Sequence, residues 1–197
     1  MYKAIALIGV VAAGTAGAQT IDFDFFPGGD GLLGTADDVP IVAPSNFTDQ
    51  TEQLTDQFAS LGILFTPDPA VDGRNEILDS VSFSTPPSAT APNLLASSGS
   101  QIIEFIFTKP INDVGAIIGI SGGEDILEAF DSDGNSLGSI VGDDEFVSLQ
   151  TTTDIARVEI RAVNSTTPAI DNLTFVPAPA TAALLGLGGL AATRRRR

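Results

Sequence analysis

The chain reads as all-β, an antiparallel β-sandwich set between two apolar ends. Three observations predict it. Short runs of alternating apolar and polar residues recur at roughly 8–12-residue spacing, the mark of half-buried strands. Glycine, proline, aspartate and asparagine separate these runs, the residue types that turns demand. No stretch repeats with a period of about 20–50 residues, which argues against a propeller or solenoid.

The elements follow in chain order. Residues 1–18 read as a secretory signal peptide. Lys3 supplies the positive charge, Ala4 to Ala13 is the short apolar run, and Ala16 and Ala18 fit the small-x-small cleavage pattern. The mature chain then starts at Gln19, and the sandwich occupies residues 19–175. Ile21–Phe25 alternates apolar and acidic residues and predicts the first strand. Residues 27–38 carry four glycines and a proline, so they form a long loop before Val39–Val42 resumes extended structure. Leu54 and Phe58, four apart among polar neighbours, predict one short helix over residues 51–60. Gly62–Phe65 reads as strand, stopped by Pro67 and Pro69. Residues 68–93 read as irregular, with a short strand at Val81–Phe83.

The second half is more regular. Strands are predicted at Ile102–Phe107, Val114–Ile120, Ile126–Phe130, Ser136–Val141, Phe146–Leu149, Ile155–Arg161 and Ile170–Phe175. In the sixth of these, Ile155, Arg157, Glu159 and Arg161 are expected on one face and Ala156, Val158, Ile160 and Ala162 on the other. Phe105, Phe107, Val114, Ile117, Phe130, Val158, Ile160, Leu173 and Phe175 are expected in or near the core.

Charge and missing residue types restrict the chemistry. All 25 acidic residues lie between Asp22 and Asp171, with only Arg74, Lys109, Arg157 and Arg161 among them, a net of −21 for the mature domain. That field repels nucleic acid and anionic lipid and attracts cations, so no nucleic-acid partner is expected. Cysteine and histidine are absent. No disulfide staples the domain, and histidine bases, thiol nucleophiles and the usual zinc and copper sites are excluded. Once the leader is removed, the twelve phenylalanines are the only aromatic side chains.

Oxygen-rich sites remain. Asp22, Asp24, Asp30, Asp37 and Asp38 are interspersed with Gly28, Gly29, Gly31 and Gly34, which let backbone carbonyls turn toward a hard cation. Calcium is the expected cofactor, in a structural role; a solvated acidic loop is the alternative. Asp131–Asn135 starts like an EF-hand but has Ser136 where the loop needs glycine and Gly142 where it needs glutamate, so it reads as a hairpin turn. Asp143, Asp144 and Glu145 read as another exposed turn. No spacing singles out a carboxylate pair, so the expectation is a protein that is not an enzyme: structural, or in contact with extracellular polysaccharide; a calcium-dependent carbohydrate-binding module and a glycoside-active enzyme using a carboxylate pair are the alternatives.

The C-terminal residues 176–197 carry the most specific signal. Pro177-Ala178-Pro179 ends the domain, residues 180–193 are uncharged and largely small or apolar, and Arg194, Arg195, Arg196 and Arg197 close the chain. As a helix the uncharged stretch spans only about 21 Å against a hydrocarbon core of roughly 30 Å, a marginal anchor held by arginines that stay cytoplasmic. The tail resembles the PEP-CTERM sorting signal of bacterial exported proteins, with Pro177-Ala178-Pro179 where that family has Pro-Glu-Pro. The resemblance implies an exosortase-like processing enzyme as partner, transient anchoring in the membrane and a final place at the cell surface or in the extracellular matrix. A plain single-span anchor is the alternative. The run from Phe105 through Val114, Ala129–Gly134 and Val158 to Ile170–Phe175 resembles the jelly-roll domains of this exported family, which look like galactose-binding-type or carbohydrate-module sandwiches, and so implies a jelly-roll-like sandwich. That likeness implies a structural calcium joining the first and last strands, and so adds Asp171 and Asn172 to the ligand set.

Overall fold

The computed structural model describes residues 17–44, 53–66, 74–80, 92–98, 101–164 and 167–177. The signal peptide as far as Ala16, the tail from Ala178 to Arg197 and the Val81–Phe83 strand lie outside them. No helix among the described residues is long and apolar enough to cross a membrane.

Among the described residues eleven strands carry the fold: β1 (Gln19–Ile21), β2 (Phe25–Phe26), β3 (Val39–Pro40), β4 (Ile63–Thr66), β5 (Arg74–Asp79), β6 (Asn93–Ser98), β7 (Ile102–Ile118), β8 (Asp125–Phe130), β9 (Ser136–Gly142), β10 (Glu145–Ala162) and β11 (Ala169–Pro177). The main sheet runs β5-β6-β11-β7-β10-β8-β9, with β1 on β11 and β4 on β7; β2 and β3 form a separate hairpin. Every pairing is antiparallel.

Two strands of 17 and 18 residues, β7 and β10, hold the two layers together. The start of β7 pairs with the end of β10 and with β4, and its end pairs with the start of β10 and with β11. Between the two halves the β7–β10 register slips twice, around Ile155. Such bulges bend a strand and let it pass from one sheet to the other. Inward residues from both halves then meet in one core: Ile103 and Phe105 from the first, Val114 and Ala116 from the second, Leu173 and Phe175 from β11. A chain of rings crosses that core, Phe23 to Phe58 at 6.1 Å, Phe58 to Phe65 at 6.1 Å, Phe65 to Phe105 at 5.6 Å, Phe105 to Phe107 at 5.7 Å and Phe107 to Phe175 at 5.2 Å.

Several sequence expectations are corrected. The strand expected over Ile21–Phe25 breaks at Phe23, which adopts a left-handed backbone (φ 61°) while its ring is fully buried. The helix expected over residues 51–60 reduces, among the described residues, to a 3-10 turn at Ala59–Leu61. Its apolar pair, Leu54 and Phe58, is buried as expected, but the Leu54 amide donates to Asn75 O at 2.8 Å and Phe65 donates to Thr55 O at 2.8 Å, so tertiary pairing replaces helical bonds. The segment read as irregular contains β5 and the start of β6. Phe146–Leu149 and Ile155–Arg161 belong to one strand, as do Ile102–Phe107 and Val114–Ile118. The slip between Ile155 and Arg157 turns Ile155 into the core, away from the face of Arg157, Glu159 and Arg161. Phe130 lies outside the core, half-buried with the Arg157 guanidinium 3.9 Å from its ring centre.

Candidate functional site

The first strand, its break and the loop that follows build a surface rich in oxygen ligands. β1 lies antiparallel on β11, Gln19 opposite Phe175 and Ile21 opposite Leu173, so the first and last strands are neighbours. Beyond Ile21 the left-handed turn at Phe23 reverses the chain into the β2–β3 hairpin. Asn172, on the facing strand, is also left-handed (φ 50°). Asp22, Asp24 and Asp171 gather around these two turns.

The seven expected ligands divide into two groups. In the loop, Asp30, Asp37 and Asp38 surround Thr35. The Thr35 hydroxyl lies 2.8 Å from Asp37 Oδ1, 3.2 Å from Asp38 Oδ1 and 3.5 Å from Asp30 Oδ1. The same carboxylates tie down the loop backbone: Asp37 Oδ2 accepts from Asp30 N at 3.1 Å, and Asp38 Oδ2 from Gly34 N at 2.7 Å and Thr35 N at 3.0 Å. The Thr35 hydroxyl and the Asp30 amide hold the Asp37 carboxyl below the usual aspartate range. Gly28 is required here because a Cβ would stand 2.3 Å from the Asp37 carbonyl oxygen.

At the strand junction, Asp22 Oδ1 accepts from Asp24 N at 3.1 Å, Asp24 Oδ1 from Asn93 N at 3.1 Å, and Asp171 Oδ1 from Asn172 N at 2.7 Å. The Asn93 side chain donates to Phe23 O at 3.2 Å and Ile41 O at 3.1 Å, which pins the break to β6. No group of three or more carboxylates among the described residues forms a ready cation cage. The division of these acids was not legible in the sequence, and neither were Thr35 and Asn93, whose residue types are no metal signature.

Burial pushes the Asp24 carboxyl from 3.8 up to about 6; the Asn93 amide opposes the shift, and the negative charges of Asp22 and Asp171 add to it. The folded value lies above the unfolded one, so the fold prefers the protonated acid. The penalty is absent below the unfolded value, grows between pH 3.8 and about 6, and is complete above that. Stability on this account falls as pH rises through the window. Because the group is largely solvent-screened, the penalty is on the order of 1 kcal/mol rather than the full linkage value. Asp24→Asn keeps an acceptor for Asn93 and removes the charge. Its melting temperature relative to the parent should therefore climb between pH 4 and pH 7; a constant difference across that range would contradict the assignment.

Beside the loop opens a cleft of about 560 Å³, lined by Thr20, Asp22, Phe25, Leu33, Thr35 and Asp38 among others. Phe25 is 42% exposed and stands with two hydroxyls and two carboxylates around one concavity. An apolar face with fixed hydrogen-bonding groups at its rim is the usual composition of a small-ligand site.

No family model matches the chain, and no curated protein does. Among solved structures it is similar to a family 11 carbohydrate-binding module of a cellulosomal cellulase of Clostridium thermocellum, at 12% identity and TM-score 0.34, over 64% of this chain and 94% of that one. A DUF4465 family protein from Bacteroides caccae is similar at 10% identity and TM-score 0.36, over 70% of this chain and 99% of that one. A xylan-binding domain from Paenibacillus barcinonensis is similar at 13% identity and TM-score 0.33, over 64% of this chain and 91% of that one.

Proposed function

We propose that this is an exported, non-catalytic protein of the cell surface or extracellular matrix whose β-sandwich contacts glycan through the cleft at Phe25. The cleft carries the reading. A pyranose offers a C–H face to a ring and hydroxyl donors to carboxylates, and the cleft presents Phe25, Asp22 and Asp38 together. Asp22 Oδ1 holds the Asp24 amide, and a carboxylate has room for further donors. Phe25→Ala changes a half-exposed ring and should leave the melt within about 1 kcal/mol of the parent while weakening glycan retention several-fold. Affinity electrophoresis reads this directly, and unchanged retention would move the glycan elsewhere.

A calcium-dependent version is favoured by the Thr35 cluster. A hydroxyl has one proton to donate, yet three carboxylate oxygens approach it. A cation entering this loop would relieve that repulsion, with Asp30, Asp37 and Asp38 as its first ligands and Asp22, Asp24, Asp171 and Asn172 at the neighbouring junction.

Export and processing rest on the two ends of the chain. β1 begins at Gln19 and β11 ends at Pro177, so removing both ends would leave the sheet whole. Mass spectrometry of the native protein should find a start near Gln19 and an end near Pro177–Pro179, released by an exosortase-like enzyme. A mature chain retaining Arg194–Arg197 would leave membrane anchoring without sorting.

A further inference from the structure

Where β7 and β10 pass between the layers, two hollows of about 270 and 360 Å³ share Phe107, Ser132 and Ala156 and so form one groove. The cause is local. The β7–β10 register slips around Ile155, Lys109 and Pro110 of β7 line the hollow, and the β8–β9 turn stands beside them as a wall. That turn is stiff, because Asp131 Oδ1 accepts from Asp133 N at 2.9 Å and Asn135 N at 2.8 Å. Its neighbour in the groove, Arg157, is also fixed, bonded to Glu104 at 2.7 Å and stacked on Phe130.

We infer that this groove is a second glycan subsite, for a neutral hexose chain, separate from the Phe25 cleft; the ligand class rests on the glycan-binding reading proposed above. The lining carries the argument. The domain has only four basic residues, yet two of them, Lys109 and Arg157, line the groove together with Asp131 and Asp154. Lys109 Nζ donates to Ser60 O at 3.2 Å, Arg157 is paired with Glu104 and Glu159, and Asp131 accepts from its own turn. A ligand therefore meets their remaining N–H groups and lone pairs, the exposed Asp154 carboxylate, and an apolar face at Phe107 and Ala156. Neutral sugars suit all of these, since each hydroxyl both donates and accepts while the ring faces are C–H. A polyuronate keeps hydroxyls and C–H faces but adds a carboxylate to each ring, and that charge meets Asp131, Asp154 and the negative field of the domain. Among the described residues no basic group lines the Phe25 cleft, so the two sites differ in chemistry as well as place.

The test uses the full chain and immobilised neutral hexose oligosaccharides, with a polyuronate as control. Asp154→Asn removes a charge from an exposed position, and Ala156→Gln fills the groove without adding one. A hydrogen bond to a charged group is worth roughly tenfold in affinity, so each variant should lose about that much at an unchanged melting temperature. Losses in both, with Phe25→Ala retaining part of the binding, support the groove. Retention unchanged in both groove variants but lost in Phe25→Ala overturns it and leaves the cleft reading intact. No retention of the parent chain on any neutral glycan overturns both, and equal retention on the polyuronate overturns the neutral class.

Discussion

Phe105→Ala should destabilise the sandwich by about 3–5 kcal/mol, the range for deleting a fully buried ring. Phe105 has no exposed surface, sits in the half of β7 that pairs with β4 and β10, and touches Phe65 and Phe107 in the ring chain. Its loss opens a cavity between the two layers rather than at an edge, and with no cysteine there is no cross-link to limit the damage. Against a typical domain stability of roughly 5–15 kcal/mol this is a large fraction. Phe130→Ala is the matched control. That ring is half-buried under Arg157, so its removal should cost about 1 kcal/mol in stacking plus modest burial. Denaturant melts of the two variants check the ordering, and equal losses would contradict the layer assignment.

The contrast between these phenylalanines also shows what the sequence could convey. Period-two alternation made the strands of the second half legible: Phe105, Val158, Ile160, Leu173 and Phe175 point inward as expected. Alternation carries no information about where a bulge shifts the phase, so Ile155 was assigned to the wrong face and Phe130 to the core. β5 escaped notice because Asn75 and Glu76 are polar and nonetheless buried, Asn75 donating to Thr66 O at 3.0 Å. A buried amide satisfied by a strand 9 positions earlier in the chain leaves no local pattern. The acidic surface was legible in kind, through aspartates set among glycines. Its partition was not: the Asn93 group depends on long-range contacts that tertiary structure brings together, and the Thr35 group, though local, turns on a hydroxyl whose residue type carries no metal signature.

Calcium should stabilise the fold by about 2.7 kcal/mol at a hundredfold excess over its dissociation constant, if it binds only the folded chain. For a domain of this size that is a rise of roughly 5 °C or more in melting temperature. Calcium should exceed magnesium, which requires tighter octahedral geometry and sheds water reluctantly. Asp30→Asn with Asp37→Asn should weaken the effect, because both carboxylates approach Thr35. Asp143→Asn with Asp144→Asn should leave it unchanged, since that pair lies in the β9–β10 turn. Equal shifts with calcium, magnesium and matched ionic strength would mean charge screening alone.

The most direct measurement on glycan contact is retention of the purified mature chain on a glycan array, run with calcium and with chelator. Retention on at least one neutral glycan, strengthened by calcium and reduced in Phe25→Ala, is the predicted result. Absence of retention in both conditions would contradict the binding reading and leave a purely structural surface protein.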